Sequence, residues 1–91
     1  MQKVTLRGCE FESKKEIHDY LKEVLNFPGY YGGNLSALYD VLTDICEDTK
    51  IVLELDGVED EAMQDYLEKV AEVMSDAAQS NMYLEFECEE E

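Results

Sequence analysis

The stretch from Phe27 to Asp44, FPGYYGGNLSALYDVLTD, constrains the fold more than any other part of the chain. It holds the one proline, Pro28, and three of the five glycines, Gly29, Gly32 and Gly33, around the pair Tyr30-Tyr31. Proline and glycine punctuate regular structure, so the segment before Asn34 reads as an ordered turn, the glycines supplying positive φ angles. Asn34 is a natural helix cap, because its side-chain oxygen can accept from the free amides of a first turn. Leu35, Leu38, Leu42 and Ile45 then recur at the spacing of one helical face. Ser36, Asp40 and Thr43 fall on the opposite, outward side, with Tyr39 at the border. A paired-tyrosine loop leading into a helix that shows Ser, Asp and Thr outward has the character of a recognition surface.

The flanking segments supply a sheet. Gln2 to Arg7 alternates Val4 and Leu6 with polar residues, as a short strand does. Ser13 with Glu16 forms a capping box, and a helix is expected from Lys14, its apolar stripe formed by Ile17, Tyr20, Leu21, Val24 and Leu25. After a polar break at Glu47–Thr49, the run Ile51, Val52, Leu53 and Leu55 suits a strand covered on both faces. Asp56-Gly57 turns the chain and Asp60 caps a long helix carrying Met63, Tyr66, Leu67, Val70, Val73, Met74 and Ala77 inward. Ser80-Asn81 ends that helix. Met82, Leu84, Phe86 and Cys88 then alternate with polar residues in a last strand, and residues 88–91 run out into a frayed acidic tail. Strands joined by helical crossovers are parallel, so the expected class is α/β: residues 1–91 as one domain, a three-stranded parallel β-sheet packed by helices.

Charge narrows the choice of partners. The chain has 23 acidic against 7 basic side chains, a formal net charge of −16. Such a surface repels nucleic acid and anionic membranes and attracts basic partners, though the same charge also serves solubility. No apolar run reaches membrane length, and the amino terminus lacks a secretory signal. Cys9, Cys46 and Cys88 form no CxxC pair, which argues against a zinc site or a disulfide framework and fits a reducing cytoplasm.

Catalysis and cofactors find little support in the residue pattern. His18, the one histidine, reads as a surface residue beside the apolar stripe, with no partner to orient it as a base. No nucleophile motif is present. Gly32-Gly33-Asn34 could present amides to a phosphate, but lacks the strand and lysine of a phosphate-binding loop. The glutamates from Glu85 to Glu91 lack the ligand spacing of a calcium loop. No metal, no cofactor and no enzymatic activity are expected.

The run Tyr30-Tyr31-Gly32-Gly33-Asn34-Leu35-Ser36-Ala37-Leu38-Tyr39-Asp40-Val41-Leu42-Thr43 resembles the signature of the barstar family, intracellular inhibitors of secreted bacterial ribonucleases of the barnase type. The order of elements elsewhere fits that family's fold, although Asp56 to Asp60 is too short for much of the extra helix usual there. The resemblance implies that loop and second helix plug a ribonuclease active site. Asp40 then stands where the substrate phosphate would lie, and Tyr30 packs on the enzyme's catalytic histidine. Tyr31, Gly32, Asn34 and Thr43 match motif positions at or near that contact. Ser36 stands where the family has an aspartate, and Tyr39 where it has a tryptophan. Asp76 on the last helix aligns with a glutamate. These departures point towards a basic, barnase-like ribonuclease other than barnase itself. Two further readings remain open: a barstar-fold module for a regulatory partner that is not a nuclease, and a small enzyme using the tyrosine loop as a pocket.

Overall fold

The structure, a computed structural model, describes residues 2–89. Strand β1 (Gln2–Arg7) leads through a single 3-10 turn (Gly8–Glu10) to helix α1 (Lys14–Val24). A loop then enters α2 (Leu35–Thr43), followed by β2 (Thr49–Glu54), α3 (Glu61–Ser80) and β3 (Leu84–Glu89). The strands lie in the order β1-β2-β3, all parallel, with Val4 opposite Ile51 and Ile51 opposite Phe86. The expected α/β class, a three-stranded parallel sheet packed by helices, is therefore what the chain adopts. Between β2 and α3 the backbone makes only the turn at Gly57, with φ of +80°, and no extra helix intervenes.

The helices start where the sequence places their caps. Ser13 Oγ accepts from Glu16 N at 3.3 Å, Asn34 Oδ1 from Ala37 N at 2.8 Å, and Asp60 Oδ1 from Ala62 N at 2.9 Å. Each satisfies an amide that the first helical turn leaves without a carbonyl partner. The stripes of all three helices meet one face of the sheet. Val4, Leu6, Ile51, Leu53 and Leu84 join Ile17 and Leu21 of α1, Leu38 and Leu42 of α2, and Leu67, Val70 and Met74 of α3 in a single buried cluster.

Two strand expectations change. The run in β2 predicts cover on both faces, yet only one face receives helices. The opposite face carries Lys3, Thr5 and Arg7 on β1, Lys50, Val52 and Glu54 on β2, and Glu85, Glu87 and Glu89 on β3. Val52 is buried there outside the main cluster, and Lys50 pairs with Glu87 at 3.2 Å. The cause is topological: right-handed crossovers that always step in the same direction put every helix on the same side. Strand β3 also differs. It starts at Leu84, leaving Met82 in the preceding turn and 89% exposed. It continues through Cys88 and Glu89, where Leu55 N–H donates to the Glu89 carbonyl at 2.8 Å. The ladder to β2 thus orders residues 88 and 89, which are not a frayed tail; Glu90 and Glu91 lie outside the described residues.

Candidate functional site

Helix α2 presents the site, and both of its ends are held by asparagine. Asn34 caps the start. At the other end Asn81, beyond α3, donates from Nδ2 to the carbonyls of Leu42 at 3.0 Å and Ile45 at 2.8 Å, with a longer contact to Thr43 at 3.4 Å. A helix end leaves carbonyls unpaired, and the last turn of α2 has no basic side chain to meet them, so a buried amide does. Its own Oδ1 accepts from Tyr83 N at 2.9 Å.

The outward face of α2 meets α3 in a shallow cleft of about 370 Å³ lined by Leu35, Ser36, Tyr39, Asp40, Val73 and Asp76. Ser36, Tyr39, Asp40 and Asp76, chosen from the sequence, are therefore neighbours. Asp40 and Asp76 are exposed, and neither forms an ion pair among the described residues. The Tyr39 hydroxyl lies 3.3 Å from Ser80 Oγ, which leans the ring across the gap between the helices. Thr43 is less available than its position suggests: its hydroxyl donates to the carbonyls of Asp40 at 2.9 Å and Tyr39 at 3.1 Å. Hydroxyls on a helix commonly bond back to the preceding turn in this way.

The two tyrosines of the loop take opposite roles. Tyr30 is 83% exposed. Tyr31 turns inward, its ring 4.9 Å from that of Phe27 and its N–H donating to the Pro28 carbonyl. Gly33 has φ of +67°, which a glycine adopts without strain, whereas Gly32 and Gly29 keep negative φ. The positive φ expected of the loop glycines is thus confined to Gly33.

His18 is the residue that sequence reasoning misplaced. It is 4% exposed, with Nδ1 hydrogen-bonded to the Tyr31 hydroxyl and Nε2 to that of Tyr66. The imidazole therefore joins α1, the tyrosine loop and α3. Burial pushes its pKa below the ordinary histidine value, and the nearby Asp19 carboxylate opposes that in part. Burial likewise raises the Tyr31 hydroxyl, reinforced by Tyr66, and raises Tyr66 itself, so both phenols stay protonated. Periodicity on α1 alone marks His18 as lateral, because the wall it faces comes from two distant segments.

Among the described residues no group of three or more His, Cys, Asp or Glu could hold a metal ion, and no helix is long and apolar enough to cross a membrane. All three cysteines are exposed.

Comparison with known proteins adds to this geometry. A sequence model of the family described as "Barstar (barnase inhibitor)" matches residues 1–89. The chain belongs to the barstar family. A relative from Bacillus subtilis (strain 168), described as "Putative ribonuclease inhibitor YrdF", is 51% identical over 43 residues. That match covers 47% of this chain and 47% of the relative, so the similarity spans about half the length of each. In this barstar-family chain α2, which carries much of the motif, forms the open cleft with α3.

Proposed function

We propose that this barstar-family protein inhibits a basic, barnase-like ribonuclease by covering its active site with the Tyr30–Thr43 loop and helix, Asp40 serving as a phosphate mimic. The observation that carries the proposal is the state of Asp40: an exposed carboxylate, unpaired among the described residues, on a helix without a basic side chain and beside a second carboxylate, Asp76. A ribonuclease site must be cationic to hold phosphates and to stabilise the charge developing in phosphoryl transfer. A fixed carboxylate placed there gathers charge-assisted hydrogen bonds, while the surrounding surface excludes RNA. Tyr30 extends towards the partner, Tyr39 and Ser36 line the cleft beside Asp40, and Asn34, Gly32 and Tyr31 set the geometry of the loop. Thr43 acts mainly by closing the last turn of α2. In this reading the protein works in the cytoplasm, shields the cell from its own secreted nuclease, and performs no catalysis, cofactor binding or nucleic-acid binding itself.

The test is titration into barnase-type ribonucleases at low ionic strength. Activity should fall with one-to-one stoichiometry, and the chain alone should not turn over RNA. Asp40→Ala should weaken the complex by about 2–5 kcal/mol, mostly through faster dissociation, because it strands buried cations of the enzyme. Asp44→Ala removes the same charge nearer the end of α2 and should change little. Equal losses for the two variants would reduce the effect to net charge and refute the phosphate mimic. Failure to inhibit any such enzyme would leave a binding module with another kind of partner.

A further inference from the structure

Basic residues are scarce in this chain, 7 against 23 acidic, yet three of them gather beside the recognition loop. Lys14, His18 and Lys22 recur at i, i+4 and i+8 on α1 and so form one stripe along the helix. With Lys15, Asp19, Tyr31, Gly32 and Gly33 they line an open cleft of about 380 Å³. The loop wall is low: a Cβ built on Gly33 would meet nothing within 4 Å. Lys14 is steadied over the Tyr66 ring, its Nζ 4.9 Å from the centroid. Lys15 pairs with Asp19 at 2.8 Å. Lys14 and Lys22 have no carboxylate partner among the described residues, despite the abundance of carboxylates in the chain.

We infer that this cleft is a second docking point for the inhibited ribonuclease, Lys14 and Lys22 receiving carboxylates from the rim of the enzyme's active site. The inference rests on the inhibitor reading given above. Uncompensated cations against the trend of an acidic surface suit a complementary patch on the partner, where like charges elsewhere would be penalised. The cleft shares Tyr31 and Gly32 with the loop, so an enzyme seated on Tyr30 and Asp40 brings its own rim within reach of α1. A protein carboxylate is favoured over a free polyanion because the net charge of −16 repels RNA in solution, while a docked partner delivers its side chains locally. Such a patch makes recognition two-signed: carboxylates seek the cationic centre of the enzyme and lysines its acidic border.

Charge reversal separates this from general steering, because the two give opposite signs. Lys22→Glu and Lys3→Glu make the chain more acidic by the same amount, but Lys3 lies on the far face of the sheet. Binding is measured against a barnase-type ribonuclease that the wild-type chain inhibits. Lys22→Glu should weaken the complex by about tenfold or more, and the neutral Lys22→Gln by less, with melting temperatures close to wild type. Lys3→Glu should leave affinity unchanged or improve it. Equal behaviour of Lys22→Glu and Lys3→Glu would overturn the inference while leaving the inhibitor reading intact. So would Lys22-dependent binding of a short RNA oligonucleotide to the chain alone, which would make the cleft a phosphate site. A wild-type chain that inhibits none of these enzymes would remove both readings together.

Discussion

A neutral imidazole donates from one ring nitrogen and accepts at the other, so His18 can satisfy both tyrosines only with one hydroxyl accepting and the other donating. Protonation leaves two N–H donors and forces the donating hydroxyl to turn away. Because burial lowers the folded-state pKa below the unfolded value of about 6.5, the unfolded chain binds more protons in the interval between the two. Stability from this group is therefore complete above about pH 6.5 and declines as pH falls towards the folded pKa. In urea titrations from pH 8 to pH 5 the wild type should lose more stability than His18→Gln, whose amide keeps a donor and an acceptor without titrating. Parallel curves would show that His18 does not contribute to the acid sensitivity. At this scale the sequence was legible where structure is local, as for the outward placement of Asp40 and the cap at Asn34. It misplaced His18 at the surface, because the partners that bury it lie 13 and 48 positions away.

Helix α2 is short and contacts α3 more than it contacts the sheet. Its outward face is given over to the cleft, so its ends matter more than they would in a longer helix. The Asn34 cap was readable from residue type and position. The far end was not, since Asn81 reads as a terminator of α3 and its amide works on another helix. Asn81→Ala should cost about 1–3 kcal/mol in chemical denaturation, because it leaves carbonyls of Leu42 and Ile45 without their buried donor. It should also lower ribonuclease affinity by loosening Asp40 and Tyr39; an unchanged stability would mean that water takes over the amide's place. The strands show the same division. Alternation in β1 and β3 was plain, whereas the one-sided cover of β2 follows from strand order, which no window of sequence contains.

Charge is distributed unevenly over the molecule. Lys3, Arg7 and Lys50 lie on the open face of the sheet, Lys14, Lys15 and Lys22 on α1 and Lys69 on α3, while α2 has no basic residue at all. Two carboxylates, Asp40 and Asp76, line the cleft between α2 and α3, and encounter of this acidic chain with a basic enzyme should be steered towards it. Association rates should fall steeply as salt rises to 0.1 M and beyond, where screening acts over about 10 Å, with dissociation changing less. An association rate indifferent to salt would rule out steering. The parallel sheet has one further consequence, for the order in which activity appears as the chain is made. Every strand pairs across a long interval, Gln2 with Thr49 and Thr49 with Leu84, so no hairpin can form early. The clamp on α2 lies 39 residues downstream of Leu42. A ribosome will thus have exposed the whole Tyr30–Thr43 stretch well before Asn81 emerges to hold α2, and on the proposed reading the nascent chain should grip a ribonuclease firmly only after α3 has been synthesised.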